Sequence, residues 1–347
     1  MADLVVHGAG VFGLSVAYQA LRRGARVTVV DPGGPGAGAS GGLVGALAPH
    51  VPENWNDKKA LQFESLQLAE TFWAEVARIG GTAPGYGRTG RLQPIADARG
   101  LELARARAAT AAHLWEGRYT WQVIRAEGSL VPSPTGWLIH DTLSARLHPR
   151  RATLALAHAV TALGGAITPQ ARNARGVAVW ATGAAGLAAL SEAVGASVGT
   201  GVKGQAALLG VDPGPMPQVF ADGLHIIPHD DGTVAIGSTS ERDHTEPTGT
   251  DGQLDALIDK ARAVLPALAH APVIDRWAGL RPRARSRAPM IGAHPTEPGA
   301  YIANGGFKIG FGMAPICARM LVDLILDDRD TIPDAFRPDA SLPREAR

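Results

Sequence analysis

The stretch Leu4-Val5-Val6-His7-Gly8-Ala9-Gly10-Val11-Phe12-Gly13 decides the fold. Its first four residues form an apolar run typical of a buried strand, and its glycines follow the spacing G-x-G-x-x-G. A helical pattern continues to residue 23, Gly24 ends it, and a second apolar strand, Arg26–Val30, stops at Asp31. Strand, glycine turn, helix, strand and acidic residue, in this order, predict a dinucleotide-binding unit.

The glycines and the acidic residue of this unit have separate physical roles. Gly8 permits the tight turn, Gly10 lets the backbone approach a pyrophosphate, and Gly13 lets the helix pack closely on the strands. The helix N-terminus presents free N–H groups and a positive dipole end to phosphate. We expect Asp31 to accept hydrogen bonds from the adenosine ribose.

The segment that follows favours FAD over NAD. Residues 32–42 read PGGPGAGASGG, where an NAD-binding domain usually starts a helix. Small residues leave the backbone exposed to an extended ligand, and Ser40 adds a hydroxyl donor for a phosphate or ribityl oxygen. A flexible surface loop is the alternative interpretation for residues 32–36.

Composition limits the class of protein. A chain of 347 residues with 46% hydrophobic and 19% charged residues predicts a folded protein of two domains. The net charge of +1 gives no reason to expect a nucleic-acid partner, and the single cysteine, Cys317, excludes an internal disulfide. We find no signal-like leader and no apolar run that we expect to cross a bilayer, so the sequence predicts a cytoplasmic protein that can form oligomers but has no membrane partner.

Local patterns predict further elements. Residues 150–163 form an amphipathic helix with Pro149 at its start, and residues 224–227 and 233–236 flank a hairpin turn. Residues 313–326 predict a helix with one apolar stripe that includes Cys317, and with Pro315 near its first turn.

Six motifs in a fixed order resemble the D-amino-acid oxidase superfamily, and within it the glycine oxidase and sarcosine oxidase branch. They are ASGG with GAL (39–42 and 45–47), LHPRR (147–151), VWATG (179–183), VKGQ (202–205), WAGLRP (277–282) and NGGFKIG (304–310). Three positions depart from the family pattern. His148 stands where Asp is usual, and His225 aligns with a substrate-side tyrosine of glycine oxidases. Lys308 resembles the sarcosine oxidase motif, in which lysine meets the substrate carboxylate, whereas glycine oxidases more often have arginine there.

The resemblance implies an α/β architecture in which a Rossmann-type FAD-binding domain is interleaved with an antiparallel-sheet substrate domain. The FAD-binding domain would comprise residues 1–84, 148–200 and 279–347, and the substrate-binding domain residues 85–147 and 201–278. Residues 165–177 are shorter than in many relatives, so the usual backbone contact to adenine is not assigned.

The glycine turn and the resemblance together predict non-covalent FAD. Gly279 lies about where sarcosine oxidases attach the flavin through cysteine. The expected FAD-binding residues are Gly8, Gly10, Val11, Phe12, Gly13, Asp31, Ala39, Ser40, Gly41, Ala46, Leu47, Gly183, Gly305, Gly306, Phe307, Lys308 and Ile309.

Oxidation of an amino acid requires cations that anchor its carboxylate beside the flavin. The resemblance implies that Arg281 and Lys308 do this as the catalytic pair, although a surface arginine and a solvated loop lysine are the alternatives. His50 and His225 are candidates for the substrate pocket, with a structural role the alternative for His50. His140 and His148 are interpreted as structural, and no His, Asp and Glu spacing predicts a metal site.

The sequence therefore predicts an FAD-dependent enzyme that oxidises the C–N bond of a small amino acid, with O2 as the expected acceptor. Glycine, N-methylglycine and small D-amino acids are the candidate substrates. Three alternatives stay open: a dehydrogenase with another acceptor, an enzyme that modifies the carboxymethylaminomethyl group of a tRNA wobble uridine, and a flavin-stabilised structural protein.

Overall fold

A computed structural model describes residues 3–171 and 175–343. Its helices are α1 Val11–Arg22, α2 Asp57–Gly80, α3 Ala98–Leu114, α4 Pro149–Ala162, α5 Gly183–Val194, α6 Gly252–Val264 and α7 Gly310–Asp327. Its strands are β1 Asp3–His7, β2 Arg26–Val30, β3 Ala46–Leu47, β4 Arg91–Pro94, β5 Trp121–Arg125, β6 Trp137–Asp141, β7 Ala145–Arg146, β8 Ala166–Thr168, β9 Val177–Trp180, β10 Gly199–Leu209, β11 Gln218–Ala221, β12 Leu224–Pro228, β13 Val234–Gly237, β14 Val273–Ala284, β15 Met290–Ala293 and β16 Tyr301–Asn304.

The first sheet confirms the predicted α/β unit. Its order is β15-β16-β9-β1-β2-β8, and all neighbours are parallel except β15 and β16. The chain leaves β1 for β2 on one side, while β9 lies on the other. Where the strand order of a parallel sheet reverses in this way, a crevice opens at the carboxyl ends of the central strands. The predicted glycine turn follows β1 and therefore lies in that crevice.

Backbone crowding explains why the turn needs glycine. Gly8 has φ +108°, and a Cβ there would lie 2.4 Å from the carbonyl oxygen of Ala181. A Cβ on Gly13 would lie 2.0 Å from the carbonyl oxygen of Gly8. Any larger residue at either position would separate α1 from the strands that it covers.

The second sheet is antiparallel with one exception. Its order is β14-β10-β13-β12-β11-β4-β6-β5, and β11 pairs with β4 in parallel. β4 comes from the first chain segment predicted for the substrate domain and β11 from the second, so no hairpin connects them and none dictates their relative direction. The predicted hairpin of β12 and β13 is confirmed.

Two long strands cross the predicted domain limits. β10 begins at Gly199 and β14 continues to Ala284, and they pair along nearly their whole length. The limits at 200/201 and 278/279 therefore fall inside strands. The division into two domains remains a prediction.

Helix α7 differs from its predicted form. It begins at Gly310, three residues earlier than expected, so Pro315 lies further inside the helix than predicted. Within the described ranges, Phe307–Asp327 is long and apolar enough to cross a membrane by length and composition, although Lys308, Arg319 and Asp323 interrupt its apolar run. Most of this segment is buried against α1 and α2, as in the core helix of a globular protein.

Candidate active site

The N-terminus of α1 meets the segment predicted to line the flavin. Gly10, at the N-cap, provides no side-chain cap, and the backbone N–H of Val11 donates to Ser40 Oγ over 2.9 Å. Ser40 belongs to a short 3-10 turn, Ala39–Gly41, whose backbone is held by side chains of α4: Thr153 Oγ1 donates to the carbonyl of Ser40, and Arg150 Nε donates to that of Gly41. Ser40 is thus placed at the predicted phosphate site.

Asp31 closes the same crevice. Its Oδ2 accepts from the N–H of Ala9 over 2.7 Å, and its Oδ1 accepts from the N–H of Gly33 over 2.9 Å. Each carboxylate oxygen keeps a second acceptor site, which suits a ribose hydroxyl. The loop 32–36 is not free on the surface, because the N–H of Gly36 donates to the carbonyl of Ala9.

The motif at residues 304–310 turns sharply before α7. Gly305 has φ +77° and Phe307 has φ +42°, and a Cβ on Gly306 would lie 2.3 Å from the ring of Phe12. Asn304 holds the turn, because its side chain donates to the carbonyl of Gly183 and accepts from the N–H of Gly305. The motif thereby joins α1, α5 and the start of α7, whose N-cap, Ile309, has no side-chain cap.

A cavity of about 190 Å³ lies between these elements and the second sheet. Its walls come from β3 and the loop after it, from α2, from β4, β11 and β12, and from the start of α7: Ala46, Leu47, Ala48, Pro49, His50, Gln62, Leu66, Arg91, Phe220, His225, Lys308, Ile309 and Gly312. Six of the predicted site residues meet here, namely Ala46, Leu47, His50, His225, Lys308 and Ile309.

Lys308 enters the cavity as an unpaired cation. Within the part of the chain that the structure describes, its ammonium has no hydrogen bond or ion pair, and it lies 5.7 Å from the centre of the Phe307 ring. Burial lowers the pKa of Lys308, and the positive charges of Arg281 and Arg283 lower it further. Both effects would be relieved by an anion in the cavity.

Arg281 lies behind this wall, outside the residues that line the cavity. Its Nη2 donates to the carbonyls of Lys203 (3.1 Å) and Thr239 (2.6 Å), and its Nη1 donates to Ser238 Oγ. Burial lowers the pKa of Arg281 to about 10, although the charge of Glu241 opposes the shift. The two predicted cations share contact with Phe307, but only Lys308 faces the cavity.

Both candidate histidines line the cavity. His225 is neutral, because burial and the nearby charges of Arg91 and Lys308 lower its pKa to about 3. Its Nδ1 has no hydrogen-bond partner within the described residues. His50 is fixed by Gln62, whose Oε1 accepts from the backbone N–H of His50 and contacts its ring Nδ1.

Sequence reasoning missed Arg91, Gln62 and Phe220. Arg91 begins a short strand, and the residue that explains it, Asp141, lies on the neighbouring strand fifty positions later. An arginine that begins a buried strand is a weak signal of a buried ion pair, but the partner can be identified only once the strand register is known.

A larger cavity of about 440 Å³ contains none of the predicted site residues. Its walls include Arg146, Asp212, Met216, His229 and Asp230. Among the described residues, no group of three or more His, Cys, Asp or Glu side chains is placed to hold a metal ion.

The residues of the first sheet fit FAD. Gly8 and Gly13 allow α1 to pack closely on the strands, Asp31 offers a fixed carboxylate, and the uncapped start of α7 offers backbone dipoles to a ring that becomes anionic on reduction. Cys317, the one cysteine of the chain, is fully buried within α7, and burial raises the pKa of its thiol.

Comparisons with known proteins agree with this arrangement. The family model for DAO, described as FAD-dependent oxidoreductase, matches residues 3–324. A glycine oxidase of Pseudomonas aeruginosa is 37% identical over 125 residues, which are 36% of this chain and 34% of that protein. A glycine oxidase of Bacillus licheniformis is 25% identical over 361 residues, 93% of each chain. The matches span only about a third to a half of the length of the first curated relatives.

Solved structures show the same fold. Iminodiacetate oxidase from Chelativorans sp. BNC1 matches with a TM-score of 0.84 at 21% identity and covers 96% of this chain and 98% of its own. Glycine oxidase from Geobacillus kaustophilus matches with a TM-score of 0.82 at 21% identity and covers 99% of each chain.

Proposed function

The chain belongs to the DAO family of FAD-dependent oxidoreductases, and on that premise we propose that it oxidises the C–N bond of a small amino acid such as glycine, N-methylglycine or a small D-amino acid. Non-covalently bound FAD supplies the hydride acceptor. The substrate loses a hydride from its α-carbon and a proton from its nitrogen. The resulting imine is hydrolysed to an oxo acid and ammonia or an amine, and O2 takes up the electrons and is reduced to hydrogen peroxide.

One observation carries the proposal: Lys308 is an exposed cation, without a partner among the described residues, on the wall of the cavity that adjoins the predicted flavin site. A substrate that fills the cavity would exclude water from this charge, and the carboxylate of an amino acid supplies the partner that the charge then needs. The carboxylate would then fix the α-carbon in a constant position.

The same cations favour the reactive form of the substrate. An amino acid transfers hydride readily only when its nitrogen is neutral. Burial is the main cause of the low pKa of His225, and the positive charges of Arg91 and Lys308 lower it further; the same charges would lower the pKa of a bound ammonium group. The cavity therefore stabilises the carboxylate and disfavours the protonated amine.

The test is an anaerobic screen of amino acids that follows loss of the flavin absorbance. We expect glycine, N-methylglycine or a small D-amino acid to bleach the flavin, and admission of oxygen to restore the colour with release of hydrogen peroxide. Bleaching without reoxidation by oxygen would identify a dehydrogenase. If no amino acid bleaches the flavin, the proposal is wrong.

A further inference from the structure

Arg91 is fixed on the wall of the cavity by a buried ion pair. Its Nε donates to Asp141 Oδ2 over 2.8 Å, and both side chains are almost completely buried. Asp141 is itself held by the N–H of Ser144, which donates to Oδ1 over 2.9 Å. The guanidinium therefore has one orientation, set by β4 and β6.

The outer edge of this guanidinium is available to a ligand. Among the described residues, Nη1 and Nη2 of Arg91 have no hydrogen-bond partner, and the residue lines the 190 Å³ cavity. The ring of Phe220 lies 5.9 Å from its central carbon. Two parallel N–H donors on a planar edge match the two oxygens of a carboxylate.

Arg91 and Lys308 act on the cavity from two separate elements, β4 and the turn before α7. Both positive charges, together with burial, lower the pKa of His225, which lines the same cavity. No aspartate or glutamate belongs to the described lining. One carboxylate would satisfy Lys308 and leave the donors of Arg91 unpaired in a buried site, which is unfavourable.

We propose that the substrate is an amino acid with two carboxylates, of which the one beside the reacting carbon pairs with Lys308 and the second with Arg91. This inference rests on the proposed function and names the substrate class of the same site. D-Aspartate and iminodiacetate have the required groups. The oxidation itself is unchanged, since the second carboxylate only anchors the substrate.

The first experiment measures binding without turnover. Succinate and succinamate differ only in that one carboxylate is replaced by an amide, and each is titrated into the oxidised holoenzyme while the flavin spectrum is recorded. We expect succinate to bind at least about tenfold more tightly. Equal affinities would overturn the inference whether or not the enzyme oxidises amino acids.

The second experiment measures flavin reduction under anaerobic conditions. We expect D-aspartate to reduce the flavin with a second-order rate constant at least tenfold larger than that of D-asparagine. Iminodiacetate should exceed N-methylglycine by at least the same factor. If the single-carboxylate members react as fast, the substrate class is wrong while the proposed function stands. If no amino acid reduces the flavin, the proposed function fails. The comparison of succinate with succinamate still tests whether Arg91 and Lys308 bind a molecule with two carboxylates.

The third experiment assigns the preference to Arg91. Arg91→Met alone would leave Asp141 buried without its partner, so Arg91→Met is combined with Asp141→Asn, which keeps an acceptor for the N–H of Ser144. We expect the preference for succinate, expressed as the ratio of its binding affinity to that of succinamate, to fall at least tenfold. Arg125→Met, an exposed arginine of the same sheet that contacts Trp137, is the matched control and should keep the wild-type ratio.

A double variant that retains FAD and the wild-type ratio would overturn the role of Arg91. The FAD content and the urea midpoint of each variant establish that it is folded. Because the comparison of succinate with succinamate is made on the unaltered holoenzyme, the inference stays testable even if the double variant does not fold.

Discussion

At the scale of single residues, Lys308 has the clearest consequence. Replacing Lys308 by Met keeps much of the apolar stem and removes the charge that faces the cavity. We expect the rate of flavin reduction at subsaturating amino acid to fall at least about tenfold, equivalent to about 1.4 kcal/mol. Stopped-flow reduction of the anaerobic holoenzyme measures this rate.

Simple amines that lack a carboxylate are the control for Lys308→Met. Their reduction rates should change much less, because the lost contact is to the carboxylate and not to the flavin. Equal losses for amines and amino acids would mean that the variant is damaged in general, and wild-type rates for both would place the carboxylate elsewhere.

Arg281 is expected to act differently, because three of its contacts are with the protein itself. Arg281→Met removes hydrogen bonds from a charged donor to buried acceptors, each worth about 1.5–3 kcal/mol. We therefore expect the free energy of unfolding to fall by at least that amount, together with the rate of flavin reduction. Urea denaturation distinguishes a structural role of Arg281 from its predicted role as a carboxylate clamp. A clamp alone would slow flavin reduction in the variant and leave its stability unchanged.

His225 predicts a dependence of stability on pH. Its pKa is lowered to about 3 in the folded protein, whereas an unfolded histidine titrates near 6.5. Below about pH 6.5 the unfolded chain takes up a proton that the folded protein does not, so stability is complete above that pH and falls as the pH is lowered toward 3. Between pH 7 and pH 5 the loss from this residue is about 2 kcal/mol.

His225→Gln should remove that part of the pH dependence, and urea denaturation of the FAD-saturated protein at pH 7 and pH 5 measures it. His113→Gln, an exposed histidine on α3, is the matched control and should keep the wild-type difference. An unchanged difference in His225→Gln would show that the residue is protonated in the folded protein at pH 5.

At the scale of elements, the end of β2 controls cofactor affinity. Asp31→Ala removes the acceptor for the N–H groups of Ala9 and Gly33 and, as we predict, for the ribose. We expect FAD to bind about 1.5–3 kcal/mol more weakly, a rise in Kd of about 10-fold to 150-fold. Quenching of flavin fluorescence on titration of the apoprotein measures the change.

Asp31→Asn separates the two roles, because the amide oxygen can still accept one backbone hydrogen bond while the charge is lost. Its Kd should lie between those of wild type and Asp31→Ala. The hydride step at saturating FAD should be unchanged in both variants, and unaltered FAD affinity in Asp31→Ala would remove Asp31 from the cofactor site.

The elements differ in how far the sequence determines them. The β1–α1–β2 unit was predictable because its glycines and Asp31 act within thirty residues of one another, through steric limits that are local. The pairing of β4 with β11 was not predictable, because it depends on which edges remain free after both segments have formed. Arg91 depends on that pairing and on Asp141, so it could not be identified as part of the site.

The start of α7 shows the same limit on a smaller scale. Gly310 and Gly312 lower the helical propensity of the first turn, which favours a later start at Met313. Tertiary packing overrides that preference, since both glycines lie where a side chain would approach neighbouring elements: Phe12 and Val11 in the first case, Leu66 and Leu47 in the second.

At the scale of the whole molecule, the route to a covalent cysteinyl flavin is closed. Cys317 lies within the core and Gly279 occupies the position that the resemblance implies for a tether. We expect acid precipitation of the yellow protein to leave the colour in the supernatant. Colour that stays with the pellet would contradict non-covalent binding.

The parallel pair of β4 and β11 also determines when the site can exist during synthesis of the chain. β4 ends at Pro94 and β11 begins at Gln218, so the first part of the second sheet leaves the ribosome long before the strand that completes it. Pairings between distant segments form slowly, and an unpaired strand edge is prone to aggregation while it waits. Arg91 and His225 lie on opposite sides of this junction, and Lys308 follows later in the chain, so we expect the cavity to form only after residues on both sides of the junction and the turn before α7 have been synthesised.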